Sequence, residues 1–199
     1  MKLRTNQLKE HFAKGQILPV YILSGDETLL MQEAADHIRR SCRQQGFTER
    51  DLFPIEPGFD WSNLLEAGNS MSLFGDRKIL EVRHPKPKFD DGAKKTLQKY
   101  CENPNPDNVL LLIIPKVDKK TQSTKWFQKI EQCGALIQVW PIDINQLPQW
   151  IHQRMRQVGL EPTREAVQLL AERVEGNLLA ASQEVEKLVL LRGKGPLDV

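Results

Sequence analysis

The feature that most constrains the fold is an alternation, along the first 140 residues, of short apolar runs with segments of helical periodicity. The apolar runs have the length of strands and carry few polar residues, which is typical of strands that helices cover on both faces. Five runs are predicted as strands: residues 18–23, 51–55, 78–83, 109–114 and 135–140. Strands that alternate with helices predict an α/β fold with a largely parallel, five-stranded sheet.

After Pro141 the strand pattern stops, and only helical spacing remains. Three helices are predicted there, with Thr163 as the N-cap of the second and Asn177 as the N-cap of the third. The chain is therefore predicted to form an α/β domain over residues 1–141 and a small three-helix domain over residues 142–199.

Composition excludes several classes of protein. The 199 residues are 40% hydrophobic and 27% charged, with 28 basic against 26 acidic side chains, which is typical of a globular protein and not of a histone-like one. The longest apolar run, residues 109–114, is far shorter than the roughly 20 residues that span a bilayer. Residues 1–6 lack the apolar stretch of a signal peptide, and the three cysteines form no C-x-x-C motif, so we expect a cytoplasmic protein.

The turn after the first predicted strand is the position at which a nucleotide-binding P-loop would lie. Residues 24–30 contain one glycine, no lysine and two carboxylates, Asp26 and Glu27. These carboxylates would repel a triphosphate at the start of the following helix. We predict that one of them caps this helix and that the turn does not support ATP hydrolysis.

No sequence motif indicates a catalytic or metal site. The four histidines show neither H-x-x-H nor H-E-x-x-H spacing, and no cysteine, histidine and carboxylate fall into a recognisable catalytic frame. The pair Asp90 and Asp91 lies at a predicted helix start, which capping explains. We therefore expect no catalytic residue, no metal and no cofactor.

Two lysine-rich segments, residues 84–88 and 116–125, are candidates for contacts with DNA phosphates. The side chains that would make these contacts are those of Lys86, Lys88, Lys119, Lys120 and Lys125. Each neutralised phosphate releases counterions and strengthens binding at low salt. The alternative is a pair of ordinary solvated loops, since no aromatic residues interleave with these lysines to stack single-stranded bases.

An apolar cluster, residues 71–75, lies between small or polar neighbours and close to a loop. The pattern alone leaves two interpretations open. The cluster is the end of an amphipathic helix packed in the core, because exposed apolar clusters are uncommon on soluble monomers. Alternatively, Met71, Leu73 and Phe74 are exposed and dock into a pocket of a partner.

Four stretches together resemble the delta subunits of bacterial DNA polymerase III, the clamp-loader components that open the sliding clamp. They are residues 20–30, Met71-Ser72-Leu73-Phe74, residues 109–114 and Glu175-Gly176-Asn177-Leu178. Their order and spacing fit this family over nearly the whole chain. The resemblance implies an AAA+-like sheet domain followed by a helical lid, in a module that has lost its P-loop.

The resemblance also implies a function and a set of partners. Leu73 and Phe74, with Met71 beside them, would insert into a hydrophobic pocket of the beta sliding clamp and favour its open form. Neighbouring loader subunits would hydrolyse ATP, and this subunit would be a non-catalytic part of the polymerase holoenzyme. The other expected partners are the gamma/tau and delta prime subunits, joined through a collar domain without a counterpart in these 199 residues, and DNA.

Two alternatives of other classes remain. One is a nucleotide-binding, AAA+-like ATPase with an atypical phosphate loop, which micromolar affinity for ATP would support. The other is a DNA-binding module that acts through the lysine-rich segments, and its affinity would fall steeply with salt.

Overall fold

The computed structural model describes residues 1–70 and 77–199. The chain divides into two compact units, Met1–Trp140 and Pro141–Val199. Among the described residues, no helix combines the length and the apolar character needed to cross a membrane.

Six strands of the described residues form one sheet in which each neighbouring pair is parallel. In chain order they are Lys2–Arg4 (β1), Val20–Gly25 (β2), Phe47–Pro54 (β3), Arg77–Arg83 (β4), Asn108–Ile114 (β5) and Ala135–Val139 (β6). Across the sheet their order is β1-β6-β2-β5-β4-β3. The predicted parallel sheet is confirmed, but the predicted number of five strands is wrong.

The additional strand is β1, which pairs with β6 at one edge of the sheet. Only Leu3 of its three residues is partly buried, and the two flanking residues are exposed. So short a segment has no alternation that sequence periodicity can detect. Main-chain pairing with β6 therefore defines this strand, and side-chain burial contributes little.

Helices cover both faces of the sheet and create two apolar cores. The helices are Leu8–Ala13 (α1), Thr28–Gln44 (α2), Ser62–Asn69 (α3), Asp91–Glu102 (α4), Lys119–Gln122 (α5) and Lys125–Cys133 (α6). In β2, Val20 and Ile22 join the core that contains residues of α3, α4 and α6. Tyr21 and Leu23 join the core that contains residues of α1 and α2. This burial on both faces explains the continuous apolar run in the sequence.

A buried carboxylate joins the edge strand β3 to its neighbour β4 and to helix α2. Glu81 in β4 has no exposed side-chain surface, and its oxygens lie 2.9 Å from Arg39 in α2, 2.9 Å from Arg50 in β3 and 2.8 Å from Arg83. Arg39 also contacts Asp36, at 2.6 Å. Because a buried charge is costly unless it is paired, this cluster holds α2 and β3 against β4.

The second unit is mainly helical. Its described elements are Leu147–Gln157 (α7), Leu160–Pro162 (β7), Arg164–Val174 (α8), Leu178–Arg192 (α9) and Gly195–Leu197 (β8). The hydroxyl of Thr163 accepts from the amide of Ala166, and the side-chain oxygen of Asn177 accepts from the amide of Ala180. Both predicted N-caps are thus confirmed, whereas the short parallel pair of β7 and β8 was not predicted.

We expect Glu81→Ala to lower the free energy of unfolding by about 3–5 kcal/mol, because it leaves the arginine side chains without their buried counter-charge. Urea denaturation followed by circular dichroism measures the change. Glu49→Ala on the exposed side of β3 is the matched control and should stay within about 0.5 kcal/mol of wild type. Equal effects of the two substitutions would contradict the assigned role of the cluster.

Candidate functional site

The predicted apolar docking residues Met71, Leu73 and Phe74 lie outside the described residues. The structure therefore bears on this site through the residues on either side of it. These flanking residues are held to the sheet by a set of polar contacts.

Two residues that flank residues 71–76 are joined by a direct hydrogen bond. Lys78 in β4 donates from Nζ to the hydroxyl oxygen of Ser70, at 2.9 Å, and pairs with Asp51 in β3, at 3.2 Å. The hydroxyl of Ser70 in turn donates to the carbonyl oxygen of Ala67 in α3, at 2.9 Å. The chain therefore leaves α3 and returns to the sheet at two points that are bonded to each other.

Arg77, the first residue of β4, fixes the point of return. Its guanidinium carbon lies 3.9 Å from the ring centroid of Phe47. Its terminal nitrogens donate to the carbonyl oxygens of Gln45, at 2.9 Å, and Pro106, at 3.2 Å. A rigid, planar guanidinium with several partners holds the backbone more firmly than an exposed ion pair does.

The turn after β2 is closed by hydrogen bonds within the protein. The hydroxyl of Ser24 donates to the carbonyl oxygen of Pro115, at 3.1 Å, and accepts from the amide of Val117, at 3.0 Å. The carboxylate of Asp26 accepts from the amide of Lys116, at 3.0 Å. The side chains of this turn thus bind the segment that follows β5.

Glu27 caps α2 by accepting from the amide of Leu29, at 3.4 Å, so the prediction that one of the two acidic residues caps this helix is confirmed. Gly25 lies against the neighbouring strand β6. A Cβ atom at this position would be 2.5 Å from the carbonyl oxygen of Val139. This contact leaves no room for a side chain at the end of β2.

A cleft of about 570 Å³ lies at the carboxyl ends of β2, β4 and β5, where α/β sheets commonly bind ligands. Its charged lining consists of Asp26, Glu56 and Arg83, with His84 beside them. Arg83 is already paired with the buried carboxylate of Glu81. The cleft therefore offers no excess of positive charge to a triphosphate. Within residues 1–70 and 77–199, no cluster of three His, Cys, Asp or Glu side chains is placed to hold a metal ion.

The five predicted DNA-contacting lysines follow the carboxyl ends of two neighbouring strands. Lys86 and Lys88 lie between β4 and α4, Lys119 and Lys120 lie in α5, and Lys125 begins α6. All five side chains are exposed. Because β4 and β5 are adjacent and parallel, the two lysine-rich segments lie at the same end of the sheet.

The pKa of Asp118, the N-cap of α5, reflects this proximity. Hydrogen bonds from Thr121 are the main cause that holds the pKa of this carboxyl below its usual range, and the charges of Lys120 and Lys88 lower the pKa further. Lys88 therefore acts on the first turn of α5, although it belongs to the other segment.

An aromatic stack supports both lysine-rich segments. The imidazole of His84 lies between Trp61 and Phe89, with ring centroids 6.2 Å and 4.3 Å away, and Phe89 contacts Trp126 in α6 at 5.2 Å. The Nδ1 atom of His84 is 2.6 Å from the carbonyl oxygen of Lys86. Sequence analysis missed this stack because its members come from separate elements of the chain.

The strand order and the two cores define an AAA+-like α/β fold. Solved structures with this fold include a clamp loader delta protein from Bacillus subtilis, with a TM-score of 0.70 and 19% identity over 98% of this chain and 60% of that one. They also include the RuvB branch migration motor of Thermotoga maritima, with a TM-score of 0.56 and 13% identity over 96% of this chain and 61% of that one. At these identities the likeness shows the fold alone.

Residues 21–139 match the family described as DNA polymerase III, delta subunit. The chain is 32% identical to the delta subunit of Haemophilus influenzae, over 93% of this chain and 54% of the relative. It is 30% identical to the delta subunit of Escherichia coli, over 100% of this chain and 58% of the relative. The chain belongs to the DNA polymerase III delta subunit family, and it spans about half the length of the curated relatives it matches.

Acidification should destabilise the fold through His84. Burial is the main cause that lowers the pKa of His84 below its ordinary value of 6.5, so the unfolded chain takes up a proton before the folded chain does. The contribution to the free energy of unfolding is intact above pH 6.5 and is lost as the pH falls below it. We expect His84→Gln to lose less stability than wild type between about pH 7.5 and about pH 5.5.

Urea denaturation at the two pH values measures this difference. Burial lowers the pKa of His11 and His37 as well, so a part of the wild-type decline should persist in the variant. His152→Gln is the matched control, because it makes the same substitution at a histidine that is exposed on α7. A decline in His84→Gln as large as that of wild type would contradict the assignment.

Proposed function

We propose that this chain is the clamp-binding part of a clamp loader delta subunit, which opens the beta sliding clamp without hydrolysing ATP itself. Residues 1–141 form the clamp-binding domain in this proposal, and residues 142–199 form the lid. The observation that carries it is the bond between Ser70 and Lys78, which flank residues 71–76, in a chain of the delta family.

The proposed contact is made by Leu73 and Phe74, with Met71 beside them. Burial of the two larger side chains in a pocket of the clamp contributes roughly 3–6 kcal/mol before the costs of association. This binding energy opens the ring only to the extent that the open form is bound more tightly than the closed form. In this proposal the subunit therefore acts as a ligand that prefers the open conformation of the clamp.

The flanking contacts support this role energetically. Ser70 and Lys78 flank the proposed contact residues and are bonded to each other, so these two flanking side chains are already fixed before binding and lose little freedom on association. The contacts of Arg77 with Gln45 and Pro106 add a second fixed point. A larger part of the free energy of apolar burial then contributes to the affinity for the clamp.

The bonds of the turn after β2 favour this proposal over a nucleotide-binding ATPase. Ser24 and Asp26 bind main-chain atoms of the protein, and the turn contains no lysine for a phosphate. ATP hydrolysis is therefore assigned to neighbouring subunits of a cytoplasmic loader. The proposed loader partners are the gamma/tau and delta prime subunits, and contact with them would use the collar domain expected from the family.

We expect the double variant Leu73→Ala/Phe74→Ala to bind the beta clamp at least about 100-fold more weakly than wild type, because two central apolar anchors each contribute about 2 kcal/mol or more. Calorimetric titration of the protein into a bacterial beta clamp measures this loss. Unfolding curves establish that the variant is folded.

The matched control is Leu190→Ala/Leu191→Ala, since these leucines are 85% and 80% exposed on α9. This control removes a similar apolar area and should leave clamp affinity unchanged. Clamp binding that survives Leu73→Ala/Phe74→Ala, or that falls equally in the control, would overturn the proposed contact.

DNA contact by the lysine-rich segments is proposed as a second role within the loader. It is supported by the position of Lys86, Lys88, Lys119, Lys120 and Lys125 at one end of the sheet, where Lys88 acts on the cap of α5. Each lysine that neutralises a phosphate of duplex DNA contributes about 0.9 to the slope of log affinity against log salt.

Lys119→Ala/Lys120→Ala should therefore weaken binding to a short DNA duplex at low salt and lower that slope by about 1 to 2. Fluorescence anisotropy over a salt series measures both quantities. Lys9→Ala/Lys14→Ala removes two exposed lysines near α1 and should change neither. Identical slopes for the two double variants would contradict a DNA contact at α5.

A further inference from the structure

An exposed tryptophan lies beside a lysine where the chain leaves β6. The side chain of Trp140 is 55% exposed, and the Nζ atom of Lys116 lies 4.9 Å from its ring centroid. Large aromatic side chains on a surface are enriched at sites that bind a partner. Trp140 is used neither by the sheet cores nor by the proposed clamp contact.

Trp140 borders a cavity of about 780 Å³ whose charged rim is mainly positive. Lys2, Lys116 and Lys119 line it, together with two carboxylates, those of Asp118 and Glu131. Both carboxylates are engaged within the protein, because Asp118 caps α5 and Glu131 lies 4.0 Å from Lys2. The three lysines therefore outnumber the two carboxylates around the cavity.

The remaining lining is rich in uncharged hydrogen-bonding groups. These side chains are those of Gln122, Ser123, Gln128, Gln132 and Gln138. Amides and hydroxyls of this kind bond equally well to phosphate oxygens and to base edges. The cavity thus combines an aromatic face, ammonium groups and neutral polar groups.

We propose that this cavity binds single-stranded DNA, with one base stacked on Trp140 and the adjacent phosphates held by Lys116 and Lys119. The proposal rests on the DNA contact proposed above and extends it with two residues, Trp140 and Lys116, outside the five predicted lysines. Aromatic stacking combined with positive charge is the usual means of binding single strands. A duplex keeps its bases stacked inside the helix, so an exposed indole face favours a single strand.

The fold places an aromatic residue beside a lysine that is distant from it in the sequence. No aromatic residue interleaves with the lysines along the chain, but the fold brings Trp140 beside Lys116 from a different strand. The stacking group that the sequence pattern lacked is therefore supplied by tertiary structure.

The test uses the whole chain and a fluorescent oligothymidylate of about 20 nucleotides at about 50 mM salt. Trp140→Ala should weaken binding about 5- to 150-fold, and Trp140→Phe should retain most of the affinity. Trp150→Ala is the matched control, because Trp150 also carries a cation over its ring, with Arg154 4.4 Å from the centroid. This control should bind as wild type does.

An abasic oligomer of the same length separates stacking from charge. Wild type and Trp140→Ala should bind it equally, whereas Lys116→Ala should weaken binding to both oligomers and lower the salt slope by about 0.7. The proposal would be overturned if Trp140→Ala lost affinity equally for both oligomers, or lost none. It would also be overturned if wild type did not bind oligothymidylate.

Clamp titration keeps this proposal separate from the proposed clamp function. Trp140→Ala should bind the clamp with wild-type affinity, because Trp140 follows β6 and is not among the residues that hold the ends of segment 71–76. Loss of oligothymidylate binding with intact clamp binding supports the cavity assignment. Absence of clamp binding in wild type would refute the proposed clamp function. The assignment of the cavity would then still be decided by the binding of the oligomers.

Discussion

The carboxylate of Glu81 is the point on which one half of the sheet depends. It lies on β4, has no exposed surface and receives arginines from α2, from β3 and from its own strand. The edge strand β3 has mostly exposed side chains, so apolar packing alone holds it less firmly than the central strands. A buried charge in the wrong register would be unpaired, which makes this cluster a constraint on register as well as a source of stability.

The parts of the fold that were predicted from the sequence carry local signals. The apolar run of β5 and the cap residues Thr163 and Asn177 each determine their own segment, and the structure agrees with them. The missed strands β1, β7 and β8 have three residues each, too few for a hydrophobic period, and exist because a partner strand is adjacent. Pairing of that kind is a property of the tertiary fold.

The same distinction applies to the candidate sites. The prediction that the turn after β2 does not support ATP hydrolysis depends on its composition alone. The hydrogen bond that Asp26 accepts from Lys116 joins residues 90 positions apart and was not predicted. The contact of Trp140 with Lys116 likewise depends on strand order, which no local pattern encodes.

Strand β4 also acts as a spacer within the first unit. It begins at Arg77, directly after segment 71–76, and ends at Arg83, shortly before Lys86 and Lys88. Its seven residues span on the order of 20 Å, which exceeds two Debye lengths at physiological salt. Solvent-exposed charges that far apart are largely screened from each other by salt, so the proposed DNA contact at one end of β4 would leave the proposed apolar contact at the other end unaffected.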